Sequence, residues 1–127
     1  MIPLHKIIVY TDKRGKSPLR EHLLELKKQS GKDARIRLEK MQDYIRLLEE
    51  RGLSLPKTIC KHFSDKKHQW LWELRPGGDR VLFFAWEDGA FVLLHAFEKT
   101  TQKTPESELR KAEREYKDWK ERNEGDG

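Results

Sequence analysis

Between Trp70 and Phe97 the chain is mostly apolar, divided by the turn residues Pro76-Gly77-Gly78-Asp79 and Glu87-Asp88-Gly89. Aromatic and aliphatic runs bounded by such turn residues read as strands. Connections this short can join only antiparallel neighbours. Trp70–Arg75, Arg80–Trp86 and Ala90–Phe97 are therefore predicted to form a three-stranded meander. The second and third runs are apolar at odd and even positions alike, so helices are expected to cover one face of the sheet and the other to be at least partly shielded. In the first run Trp70, Trp72 and Leu74 alternate with Leu71, Glu73 and Arg75. His95 alternates with Phe91, Leu93 and Phe97, which marks it as a hydrogen-bonded core histidine. Glu73, Arg75 and Arg80 place charge in the driest part of the chain, and that placement needs a reason.

The flanks supply the other elements. Ile7-Ile8-Val9-Tyr10 reads as a strand. Ser17-Pro18 opens a helix, Ser as N-cap and Pro where a helix leaves its N–H without a partner. Leu19, Leu23 and Leu26 line one face of it. A second helix is expected from Asp33 to Arg51, striped by Leu38, Met41, Ile45 and Leu48 and closed at Gly52. Thr104-Pro105 repeats the Ser-Pro signal before a last helix striped by Leu109, Ala112, Tyr116 and Trp119. The order is β-α-α-β-β-β-α, an α+β domain with a mainly antiparallel four-stranded sheet packed against helices. It covers residues 1–122, with 123–127 expected to fray.

Composition narrows the chemistry. Cys60 is the only cysteine, so no internal disulfide exists and the thiol is expected to be a small buried hydrophobe. His5, His22, His62, His68 and His95 show no metal-ligand spacing. There is no phosphate-cradling glycine loop, nucleophile elbow or dinucleotide fingerprint. Neither a metal nor another cofactor is expected. The apolar run near the N-terminus is too short for a secretory signal, and no run reaches a membrane span, so a cytoplasmic protein is expected.

The 127 residues carry 27 Lys and Arg against 22 Asp and Glu, a formal net charge of +5. That excess suits a polyanionic partner, and it gathers around the meander. Lys57, Lys61, His62, Lys66, Lys67 and His68 precede it, Arg75 and Arg80 lie within it, and Lys99 and Lys103 follow. The turn at 76–79 brings Arg80 back near Arg75. Two neighbouring arginines repel unless an anion lies between them, and guanidinium matches phosphate bidentately. Either the pair clamps a phosphate, or Glu73 or Asp79 neutralises it.

The stretches W-E-L-R-P-G-G-D-R-V-L-F-F-A-W (72–86) and F-V-L-L-H-A-F-E-K-T-T-Q-K-T-P-E-S-E-L-R-K-A-E-R-E-Y (91–116) resemble the RelE/ParE toxin superfamily, in its phage-derived, HigB-like branch. K-D-x-R-I-x-L-x-K at 32–40 agrees. The resemblance implies a RelE-like β-α-α-β-β-β-α fold and the toxin of a type II toxin–antitoxin pair. It implies a metal-independent endoribonuclease that cuts messenger RNA on the ribosome by 2′-hydroxyl attack on the adjacent phosphorus. It places Arg75 on the scissile phosphate, Lys61, His62 and Lys99 among the catalytic groups, and Glu73 beside them as orienter or proton carrier. Arg80, Lys57, Lys66, Lys67, Lys103 and Phe97 are the expected RNA contacts. RelE carries a base-stacking tyrosine near its last helix. Leu109 stands near that place here, with Phe97 or Tyr116 as substitutes. The implied partners are a helix-turn-helix antitoxin, the ribosome with its messenger, and operator DNA only through the antitoxin. A ParE-like gyrase inhibitor and a non-catalytic basic binding module are the alternatives.

Overall fold

The computed structural model describes residues 4–124. The strands are β1 (Ile7–Val9), β2 (Cys60–His62), β3 (Trp72–Leu74), β4 (Asp79–Ala85) and β5 (Phe91–Glu98). The helices are α1 (Pro18–Lys28), α2 (Lys32–Arg51) and α3 (Glu106–Glu124). They form one five-stranded sheet in the order β1-β5-β4-β3-β2, antiparallel except for β1 beside β5. The α+β class and the meander stand. The strand count changes from four to five, because Cys60-Lys61-His62 pairs along the free edge of β3.

Local signals explain the helices. The Ser17 hydroxyl accepts the Arg20 N–H and Pro18 starts α1. Gly52, at φ 61, ends α2. Thr104 behaves differently from Ser17. Its hydroxyl does not cap α3 but donates to Glu73 Oε2 at 2.7 Å. The tail expected to fray remains helical to Glu124, and 125–127 lie outside the described residues.

The sheet has a core on each face. On one, α1 and α2 bury Leu19, Leu26, Met41 and Leu48 against Leu74, Val81, Phe83, Phe91 and Leu93. On the other, α3 covers Leu71, Leu82, Phe84, Val92, Leu94 and Phe97 with Leu109 and Ala112. This double cover is what the two-sided apolar strands require.

Two alternations expected from sequence fail. Trp70 is not on the face of Trp72, because a 3₁₀ turn at Lys66–His68 delays the strand until Trp72. Trp70 instead stacks on Tyr116 of α3, with centroids 4.0 Å apart. In β5, Leu82 pairs with His95 but Phe83 with Leu93, which leaves Leu94 as the extra residue of a β-bulge. The bulge reverses the phase of the strand. Phe91 and Leu93 face α1 and α2, whereas His95 and Phe97 face α3. His95 is fully buried, its Nδ1 2.6 Å from Glu115 Oε1 and its Nε2 2.9 Å from Glu108 Oε1.

Candidate functional site: a basic cleft around Glu73

Strand register decides which charges meet. Glu73 pairs with Lys61 on β2 and with Leu82 on β4, and its side chain lies on the α3 face. Arg80 pairs with Phe97 and shares that face. The Pro-Gly-Gly-Asp turn, with Gly77 at φ 66, returns the chain so that both arginines flank Glu73. The backbone fixes their bases. Arg75 N–H donates to the Ile59 carbonyl at 2.9 Å, and Lys99 N–H donates to the Gly78 carbonyl at 2.8 Å.

The Glu73 carboxylate is 1% exposed. Oε2 accepts the Thr104 hydroxyl. Oε1 lies 3.6 Å from Arg80 Nε and 3.8 Å from Arg75 Nε, within ion-pair range but beyond a hydrogen bond. The anion required between the two arginines is thus the protein's own. It is too little for the charge around it, since Arg80, Arg75 and Lys61 all act on Lys99, and Arg75 acts on Arg80. Burial loosens the Lys99 proton, and Arg80, Arg75 and Lys61 add to the effect against the opposing pull of Glu73. Burial also lowers the Arg80 pKa, partly offset by Glu73. Arg80 is held rigidly, one guanidinium nitrogen donating to the Gly77 and Asp79 carbonyls at 2.6 and 2.8 Å, while its buried Nε has no hydrogen-bond partner. Arg75 is freer. The one hydrogen bond of its side chain among the described residues, to the Lys57 carbonyl, is 3.3 Å long.

These cations open on a cleft of about 540 Å³ between β2, the loop 99–104 and the start of α3. Lys61, Arg75, Lys99 and Lys103 line it with Phe63, Gln102 and Thr104, and Asp65 and Glu106 line it too, so cations outnumber carboxylates four to two. A recess beside it adds Arg80, Thr100 and Thr101. Such a cradle can hold a phosphate dianion or a phosphorane-like oxyanion.

Several expected site residues lie elsewhere. His62 neighbours Lys61 in a strand and so points to the opposite face. Its ring stacks on Trp72 at 4.3 Å and its Nε2–H donates to the Gln69 carbonyl at 2.6 Å. Lys57 lends the cleft only its carbonyl. Lys66 is exposed outside the cleft, and Lys67 pairs with Glu113 at 3.6 Å. Phe97 is 8% exposed within the α3-side core, which leaves no face for a base. Tyr116 is occupied by the Trp70 ring, with Lys120 also over its ring. Thr104, Phe63 and Gln102 were missed. Thr104 carried a signal, but one that reads equally well as a cap.

Asp79, the other acid named beside the arginines, turns away from them. It accepts a bidentate pair from Arg37 at 2.8 and 2.9 Å and a third hydrogen bond from His22 at 3.1 Å. Burial raises its pKa, but these donors outweigh burial and hold it at about 2. Among the described residues no group of His, Cys, Asp and Glu is arranged to hold a metal ion, and no helix is long and apolar enough to cross a membrane.

Residues 25–117 match the family described as "Phage derived protein Gp49-like (DUF891)". The chain belongs to that family. Its description as phage-derived accords with the phage-derived branch that the hairpin motif resembles. No curated protein is similar enough to count as a match. Among solved structures, the chain is similar to one in the archaeal RelE–RelB complex from Pyrococcus horikoshii OT3, at 16% identity and a TM-score of 0.48. That similarity covers 79% of this chain and 98% of the other.

Proposed function

We propose that this Gp49-like chain is the toxin of a type II toxin–antitoxin pair and that its cleft cleaves messenger RNA on the ribosome. The observation that carries the reading is the charge imbalance at Glu73, where four cations gather about one buried carboxylate beside an open cleft. A structural ion pair has no use for that surplus, but a pentacoordinate phosphate does.

The 2′-hydroxyl gives up its proton to water as it attacks the adjacent phosphorus, and the bond to the 5′-oxygen breaks. The products are a 2′,3′-cyclic phosphate and a 5′-hydroxyl. Arg75, partly exposed and weakly held, takes the non-bridging oxygens. Arg80 and Lys61 add positive potential, Arg80 from a fixed position. Lys99, whose proton its surroundings loosen, delivers it to the leaving oxygen. Glu73 orients the arginines, because its oxygens are engaged by Thr104 and the guanidiniums. The four cations supply the charge stabilisation without a metal.

The same charges suit an acidic segment of an antitoxin. A helix-turn-helix partner that contacts operator DNA itself is the expected form. Toxin activity falls when that partner is bound, and a complex that cut RNA as fast as the free toxin would contradict this.

The test is to induce the chain alone in bacteria and map messenger RNA 5′ ends, with Arg75→Ala as control. New cuts within translated frames, lost in the control, are expected. Growth arrest without cuts would overturn the nuclease reading.

A further inference from the structure

A second groove of about 520 Å³ lies between the loop 11–17 and α3, on the β1 side of that helix, and shares no lining residue with the cleft. Lys13, Arg14, Lys16, Lys111 and Arg114 rim it. None of the five pairs with a carboxylate of the described residues. Asp12, Glu115 and Asp118 also line it, each with an oxygen engaged within the protein, and Asp118 feels the charge of Lys13. Asp12 Oδ1 accepts the backbone N–H groups of Arg14 and Lys16 at 2.8 and 2.9 Å. Glu115 Oε1 faces His95, and Asp118 accepts the Tyr10 hydroxyl at 2.6 Å.

The same bonds fix the groove's walls. Asp12 folds the loop tightly over Gly15, which sits at φ 81. Tyr10 to Asp118, and Arg122 to both Asp118 and the Thr11 carbonyl, fasten the root of the loop to α3. The cations therefore stand on a preorganised frame. Arg110, Arg114 and Lys117 are exposed at helical spacing along α3, which continues the positive surface past the groove.

We propose that this groove is a second binding site, for the phosphodiester backbone of folded RNA. It rests on the RNA reading of the cleft, since both sites would then hold one polyanion. Only Tyr10 and Pro18 among its lining residues are uncharged. A protein partner draws its affinity from apolar and aromatic anchors in pockets, whereas a phosphate backbone needs only unpaired cations that release counterions.

The test uses the full chain and the triple variant Lys13→Ala, Arg14→Ala, Lys16→Ala, which keeps every backbone bond to Asp12. Binding to a short RNA duplex hairpin and to a poly-glutamate peptide is measured across a salt series. The variant is expected to lose roughly tenfold or more in RNA affinity, and its salt slope to fall by about 2 to 3, near 0.9 per lost phosphate contact. Cutting by the variant at saturating RNA stays at the wild-type rate. Unchanged RNA affinity and slope would overturn the site. Loss of peptide binding with RNA binding intact would overturn it too, in favour of a protein partner. The expected loss in a chain whose wild type cuts no messenger would uphold this groove and remove the nuclease reading alone.

Discussion

Asp79 and Glu73 are both buried acids of one hairpin, yet they face opposite layers of the molecule. Asp79 meets α1 and α2 and is fully satisfied by three charged or polarised donors. Glu73 meets the loop before α3, holds one hydroxyl, and faces two guanidiniums at more than hydrogen-bond distance. The first site is neutralised and closed. The second is left positive and open to a cleft. Burial alone does not mark function. An unbalanced charge at an accessible edge does.

The strongest way to break this contrast is Asp79→Ala. It strands the Arg37 guanidinium and His22 against the sheet, and removing one partner of a buried pair costs about 3 to 5 kcal/mol. Chemical denaturation should show that loss. RNA cutting per folded molecule should survive at low temperature, and its disappearance there would show that the closed site also shapes the chemistry.

Arg75→Ala should do the reverse. Its side chain is partly exposed and makes one long hydrogen bond, so the melting temperature should barely move. Cutting should fall about a hundredfold or more, the scale of losing one preorganised donor to a transition-state oxyanion. Full toxicity in the folded variant would leave the cleft without a function.

Acid sharpens the comparison next. The Asp79 pKa is depressed to about 2 when folded. Its contribution, about 2 kcal/mol for a shift of this size, is therefore complete above the ordinary carboxylate range. It disappears as pH falls toward 2. Wild-type stability should drop through that window, and the drop should be absent in an Asp79→Asn variant. A variant that lost stability in parallel with wild type would assign the acid limb to other carboxylates.

The contrast was only half legible in the sequence. Apolar runs, turn residues and the Ser17-Pro18 cap act within a few residues, so the meander and the helices could be read directly. The cluster of Arg75, Arg80, Lys61 and Lys99 followed from the turn and from the resemblance. What escaped notice was set by tertiary pairing. Cys60–His62 is a strand only because β3 has a free edge, and that pairing sends Lys61 into the cleft and His62 out of it. The bulge at Leu94 leaves no local mark, yet it moves His95 and Phe97 to the other face. No spacing rule told Asp79 from Glu73, because their hydrogen-bond partners lie 31 to 57 residues away.

Thr104 gives the finest discrimination. As a cap, its hydroxyl would matter to α3 alone, and Thr104→Val would loosen the helix start and leave the cleft intact. The structure instead gives that hydroxyl to Glu73 Oε2. Removing it costs roughly 1.5 to 3 kcal/mol for a hydrogen bond to a charged acceptor, and it frees a carboxylate lodged between two arginines to turn toward them. Glu73 should then neutralise Arg75 more fully. RNA affinity and cutting should fall severalfold, and Thr104→Ser should restore both. If Thr104→Val lowers stability while affinity and rate per folded molecule stay at wild type, Glu73 is held well enough without it. The open site would then resemble the closed one more than its charge imbalance suggests.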